Sequence, residues 1–174
     1  MRTWRNGIRA RLRCVSRKGW RFESSRPHKM TVDKLDTLVF VGQKAFIHKG
    51  DKVLVLRDPD YAVGSDVGLD FPGGKYRWGN DIHDELQREV TEETGLKITI
   101  GKPFTVWKSQ SRNQDLQLSK MYLVGFFAEY VSGEVILSDE HDKFEWVDKK
   151  SYQKWQEDTD YFRALEEYFK IKGT

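Results

Sequence analysis

The residues best equipped for chemistry lie in one short stretch, Arg88 to Leu96, which reads REVTEETGL. On a helix, Glu89, Glu92 and Glu93, together with Glu85 one turn earlier, fall within an arc of roughly 100°. Like charges this close repel, each i,i+4 pair costing roughly a few tenths of a kcal/mol. Two of the four sit near the C-terminal end of the helix, where its dipole disfavours anions. Local propensity does not explain this placement. Either the face is simply solvated or a cation rests over it. Clustered hard carboxylate oxygens suit Mg2+ or Mn2+ better than Zn2+. Two neighbours favour the cation: Pro72-Gly73-Gly74 stands one short loop before the helix, and Arg88 lies directly beside Glu89.

Several elements must hold that helix in place. Residues 37–48, TLVFVGQKAFIH, read as a strand, and KVLVLRD at 52–58 as its return across the turn Lys49-Gly50-Asp51. Residues 58–68 read as a polar loop, and 69–75 as a short strand broken by Pro72-Gly73-Gly74. From residue 81 the period changes. Ile82, Leu86 and Val90 recur every four residues, Asn80 or Asp81 can cap the start, and Gly95 marks the end. Further strands are expected at about 97–107, 117–130 and 133–137, separated by loops at 109–116 and 138–142, with KFEWV at 143–147 as a short last strand. A second helix over 159–171 would turn Phe162, Leu165 and Phe169 to one face, capped by Asp158 or Thr159. Strands with two substantial helices suggest a sheet flanked by helices.

Gly74 to Leu96, GKYRWGNDIHDELQREVTEETGL, resembles the Nudix box, a pattern of 23 residues. The box asks for Gly, then Glu six positions on, then Arg-Glu, an aliphatic residue, a spacer, Glu-Glu, a spacer, Gly and an aliphatic residue. This chain supplies Gly74, Arg88, Glu89, Val90, Glu92, Glu93, Gly95 and Leu96, and departs once, with Asn80 where the first Glu belongs. The opening hairpin, the Phe-Pro-Gly-Gly before the box and a Trp-Val pair near the end are also similar to that family. The likeness covers about residues 37–171.

The resemblance implies an α+β Nudix fold, an α/β/α sandwich with a mixed sheet flanked by helices. It implies water attack on phosphorus in a nucleoside diphosphate linked to another group, with Mg2+ or Mn2+ neutralising charge and priming water. Carried over by position, Glu89, Glu92 and Glu93 would be metal ligands, Glu92 also serving catalysis, and the carbonyl of Gly73 would add a ligand. Arg88 would orient the carboxylates. Gly73 and Gly74 let the backbone approach the substrate phosphates, Lys75 beside them could hold a phosphate, and Glu140 is the candidate base or extra ligand. Asn80 cannot pair ionically with Arg88, a role that Asp81 could take over. Trp107, Trp78, Tyr76 and Phe126 are candidates to stack on a base; Lys108, Arg112 and Lys120 could meet phosphate, and His141 could touch substrate.

Charge is distributed unevenly. Residues 1–29 hold ten Arg or Lys and one acid, whereas residues 30–174 hold twenty against twenty-six. The body is acidic, which argues against nucleic acid as its partner. The basic segment could be a presequence, a nucleic-acid arm, or no native part of the protein. The third reading has a coding argument: Trp20 to Ser25 can be written TGG AGG TTC GAA TCC TCC, the stem and loop of a transfer-RNA T arm, and the codons for Met1-Arg2-Thr3 and Arg26-Pro27-His28 can pair like an acceptor stem. A start at Met30, with the Nudix domain over 30–174 and the extension outside the fold, is the resulting expectation. Nothing approaches the run of about 18 apolar residues that a membrane span needs, and Cys14, the single cysteine, suits a reducing cytoplasm. The expected substrate is a nucleoside triphosphate, oxidised forms such as 8-oxo-dGTP included, handled by a monomer or homodimer. The alternatives are an ADP-ribose or dinucleoside polyphosphate hydrolase, or a Nudix-like module that binds a nucleotide without cleaving it. The absence of extra N-terminal dimerisation strands weighs mildly against the ADP-ribose type.

Overall fold

The computed structural model describes residues 39–59, 67–112 and 118–173; the basic segment 1–29 lies outside them. The opening hairpin pairs β1 (Val39–Lys49) with β2 (Lys52–Arg57), but only at its closed end, His48 to Val53 and Lys49 to Lys52. Beyond that point the two strands separate, and the segment from β3 (Leu69–Asp70) enters between them. Asp70 and Leu69 pair with Leu56 and Arg57 of β2. Immediately afterwards the chain moves onto β1: Ala45 N–H donates to Pro72 O (2.7 Å), Gln43 N–H to Gly74 O (2.9 Å) and Tyr76 N–H to Val41 O (2.9 Å). The double glycine is therefore clamped to the middle of the sheet.

The long strands β4 (Lys97–Arg112) and β5 (Leu118–Ser132) form an antiparallel pair, and β5 runs parallel to β1 from Val39↔Lys120 to His48↔Glu129. The last strand, β6 (Lys143–Val147), covers the other edge of β2. Among the described residues the result is one mixed six-stranded sheet.

Alternate residues of the strands face opposite sides, and each side has its own apolar core. Ala45, Ile47, Leu54, Leu56 and Phe126 pack with Leu86 and Val90 of α1 (Ile82–Thr94). Phe46, Val53, Val55, Trp107 and Leu123 pack with Phe162, Leu165 and Phe169 of α2 (Asp160–Lys172). The sheet thus lies between two helices, the expected α+β sandwich. Both helices start on the expected caps: Asp81 accepts from the N–H groups of His83 and Asp84, and Thr159 from that of Phe162. Gly95 ends α1 in the left-handed conformation. Among the described residues no helix is long and apolar enough to cross a membrane.

Two expectations are corrected. The loop expected to begin at 109 is still strand as far as Arg112, because Ser109 to Arg112 continue the ladder with β5. Residues 133–137 do not form a strand. They leave β5 at Gly133 and serve α1 instead: Ile136 N–H donates to Thr94 O (3.0 Å) and Ser138 N–H to Glu93 O (3.1 Å). These are terminal carbonyls that a helix cannot satisfy internally. The segment fixes the end of the helix that carries Glu92 and Glu93.

Phe46 has no exposed surface, stacks on Phe71 (centroids 4.0 Å apart) and Tyr168 (5.7 Å), and meets Phe104 and Trp107 edge-on. Phe46→Ala should lower unfolding free energy by about 3–5 kcal/mol, read as a shifted urea midpoint. A loss below about 1 kcal/mol would contradict this packing.

Candidate active site

The acidic helix face is only partly a solvated outer surface, exposed at Glu92 and buried at Glu85 and Glu93. Glu85 is 3% exposed and Glu93 6%. Glu93 reaches the double glycine, where its Oε2 accepts the Gly73 N–H at 2.8 Å. Gly73 has φ +126°, and a Cβ there would stand 2.2 Å from Gln43 O; only glycine fits so close to β1. Glu89 lies against the next residue, since a Cβ at Gly74 would fall 2.9 Å from its Oε2. Gln43 adds a third tie, its Nε2 donating to Ile82 O at 3.0 Å at the start of the helix. Glu93 is thus bonded to the Gly73 backbone, and Glu89, one helical turn away, lies close to Gly74 while paired with Arg88.

Arg88 occupies the centre of the remaining acids. Its Nη2 donates to Glu85 Oε1 (2.6 Å) and to Glu89 Oε1, and its Nη1 to Glu92 Oε2 (2.5 Å). Glu85, then Glu92 and Glu89, hold the guanidinium proton more firmly than usual. Glu85 in turn accepts from Asn80 Nδ2 at 2.6 Å, and Arg88 first, then Asn80, keeps its carboxyl below the ordinary range. The acid missing at position 80 is therefore not replaced by Asp81, which spends its side chain on capping α1. Glu85 is the most buried of the three carboxylates that meet Arg88.

Beneath Glu93 is a buried polar network. Lys44 on β1 donates to Asp70 on β3 at 2.8 Å, and His141, in the loop before β6, approaches Asp70 through Nε2 at 3.3 Å. Burial alone would discharge all three groups. Burial pulls the Lys44 ammonium down, but Asp70 and Glu93 more than reverse it and leave it raised. Burial pushes Asp70 up, but Lys44 and His141 bring it below its usual value. Burial lowers His141, and Asp70 overrides this to leave it raised. For Glu93 burial prevails: its carboxyl is pushed up to about 7, despite the nearby Lys44 ammonium and the Gly73 N–H.

The other residues singled out from sequence are placed less centrally. Among the described residues no three His, Cys, Asp or Glu side chains converge as a metal cage, and Arg88 holds Glu89 and Glu92. Glu92 is the more open of the two, its side chain 58% exposed against 18% for Glu89. Glu140 is exposed, and it is its neighbour His141 that turns inward. Lys75 is exposed, with its ammonium 4.9 Å from the centre of the Phe40 ring. Trp107 packs edge-on against Phe46, Phe71 and Tyr161, and its buried Nε1 has no partner among the described residues. It also borders a cavity of about 300 Å3 with Lys108, Tyr122 and Arg163. Trp78 is 96% exposed, whereas Phe126 is core. Lys120 is exposed, and the side chain of Arg112 lies outside the described residues. Sequence reasoning missed Lys44 and Asp70; the available signal was one charge of each sign beside buried apolar neighbours, Lys44 before Ala45-Phe46-Ile47 and Asp70 between Leu69 and Phe71.

The NUDIX domain model matches residues 41–168. The Nudix hydrolase YvcI of Bacillus subtilis (strain 168) is 31% identical over 103 residues, 59% of this chain and 62% of that protein. The NAD-capped RNA hydrolase NudC of Pseudomonas aeruginosa is 30% identical over 105 residues, 58% of this chain and 33% of that protein. The chain spans less than two thirds of the length of either relative. The crystal structure of MutT protein from Methanosarcina mazei Go1 matches 80% of this chain and 99% of its own, with a TM-score of 0.63 at 25% identity.

The raised Glu93 makes stability depend on pH. Its contribution is intact below the ordinary carboxylate value of 4.5 and is lost as pH rises through about 7. At roughly 1.4 kcal/mol per pKa unit, the ionised form opposes folding by about 3 kcal/mol. In EDTA, Glu93→Gln should be more stable than wild type by about 1–3 kcal/mol near pH 8, with the gain shrinking toward pH 5. Urea titrations at both pH values read it, and a gain that is the same at both would contradict the assignment.

Proposed function

This chain belongs to the NUDIX domain family, and from that membership we propose that it is a divalent-metal-dependent hydrolase of a nucleoside diphosphate linked to another group. A nucleoside triphosphate is the proposed substrate class, oxidised forms such as 8-oxo-dGTP included. The observation that carries the reading is the seating of Glu89 and Glu93 on the Gly73–Gly74 backbone. Hard oxygen donors held beside a sharp backbone turn fit Mg2+ or Mn2+. The likeness to the MutT protein, which extends over 99% of that protein's chain, supports this reading.

In this reading Glu89 and Glu93 are the principal metal ligands, joined by Glu92 and the Gly73 carbonyl. When bound, the metal neutralises phosphate charge and lowers the pKa of its water. The chain's own residues do the rest. Gly73 and Gly74 let the phosphates approach the backbone, and Lys75, exposed at the rim, meets an outer phosphate. Glu92, once it leaves Arg88, or the exposed Glu140 takes the proton from the attacking water. The protein acts in the cytoplasm as a monomer or homodimer on a small nucleotide rather than on nucleic acid.

The test is a nucleotide panel with Mg2+ on a chain beginning at Met30: triphosphates, 8-oxo-dGTP, ADP-ribose, dinucleoside polyphosphates and NAD-capped RNA, scored by phosphate, pyrophosphate or nucleotide release. Release from triphosphates is expected, abolished by EDTA and reduced at least about a hundredfold by Glu93→Gln. Binding without release from any of them would replace the hydrolase with a nucleotide sensor.

A further inference from the structure

Arg88 ties up two carboxylates that the reading above assigns to a metal ion. One guanidinium faces three carboxylates, and only one of these is unable to turn elsewhere. Glu85 is 3% exposed, and both of its oxygens are engaged: Oε1 with Arg88 Nη2 at 2.6 Å and Arg77 Nε at 3.5 Å, Oε2 with Asn80 Nδ2 at 2.6 Å. Glu89 and Glu92 are more open and, among the hydrogen bonds described, bind only Arg88. The three acids thus differ in kind. Glu85 is a fixed anchor, and the other two can leave.

We propose that Glu85 is the positioning carboxylate of this box, standing in for the acid that Asn80 lacks and keeping Arg88 docked so that Glu89 and Glu92 can turn to a divalent cation. The inference rests on the metal reading above. A cation drawing Glu89 and Glu92 away must break their ion pairs with Arg88. With Glu85 present, Arg88 keeps one buried partner and stays neutralised. With Glu85 neutral, Arg88 has only the two would-be ligands and competes with the cation for both. Asn80 supports this arrangement in a way that Glu could not, because its amide donates to Glu85 Oε2 where a second carboxylate would repel it. The swap between positions 80 and 85 is internally consistent: an acid at one position requires a donor or a neutral group at the other.

The test uses Mn2+ alone as the probe, its binding followed by the loss of the free-ion electron paramagnetic resonance signal, with thermal unfolding measured in parallel. Wild type should bind Mn2+. Glu85→Gln should raise the Mn2+ Kd about tenfold, the usual effect of losing one charge-assisted hydrogen bond. The half-saturating Mg2+ for hydrolysis should rise with it, while kcat at saturating Mg2+ stays within about threefold. The double variant Asn80→Glu with Glu85→Ala restores a carboxylate from the other position, and should bring Kd back to within about threefold of wild type. A wild-type Kd in folded Glu85→Gln overturns the proposal. So does a folded double variant whose Kd stays about tenfold or more above that of wild type, an outcome that needs no folded Glu85→Gln. If wild type itself binds no Mn2+, the metal reading fails and this inference fails with it.

Discussion

The hydrogen bond from Gly73 N–H to Glu93 ties the box helix to the sheet, and the geometry of the site depends on it. Glycine at 73 brings the backbone against Gln43, and the same residue presents its N–H to the carboxylate. One turn earlier, Glu89 lies where the Cβ of any other residue at 74 would intrude. The position of β3 makes this possible. Because β1 and β2 part after the hairpin, the chain between them can cross from one to the other, passing from β2 at Asp70 to β1 at Pro72, just before the double glycine. The return segment after β5 fixes the far end of the helix by bonding the carbonyls of Glu93 and Thr94.

This arrangement has an energetic cost. A carboxylate pressed into a nearly dry position is held well above its normal pKa. The charged groups nearest to it moderate that strain. Lys44 supplies a cation, but Lys44 is itself buried and needs Asp70, which in turn is steadied by His141. Such a chain of buried partners contributes little net stability, but removing one member would leave the others without compensation. Such imbalance is what the proposed cation would relieve. The Arg88 fork expresses the same logic on the more open side of the helix, where one guanidinium partly neutralises three acids.

Much of this was legible in the sequence because it rests on local signals. The four-residue spacing of Ile82, Leu86 and Val90, the acid at 81 and the glycine at 95 define the box helix, and Pro72-Gly73-Gly74 marks the turn beside it. Other features are set by partners distant in the chain. Residues 133–137 have strand-like composition, but their hydrogen bonds go to the end of α1, which no local pattern reveals. Ser109 to Arg112 look like a loop, yet β5 extends opposite them and holds them in the ladder. The role given to Asp81 failed because two functions compete for one side chain, and helix capping takes it. Glu85 was visible as a fourth acid, but its burial against Asn80 and Arg88 depends on how closely the 75–80 loop folds over the helix.

The central claim is that a divalent cation rests on Glu89 and Glu93 against the Gly73–Gly74 backbone. Anomalous diffraction from a crystal soaked in Mn2+ tests it most directly. The account expects a strong anomalous peak about 2.0–2.4 Å from carboxylate oxygens of both Glu89 and Glu93, with Arg88 still paired to Glu85. A peak that touches neither residue, or none at a Mn2+ concentration that supports hydrolysis, would contradict it.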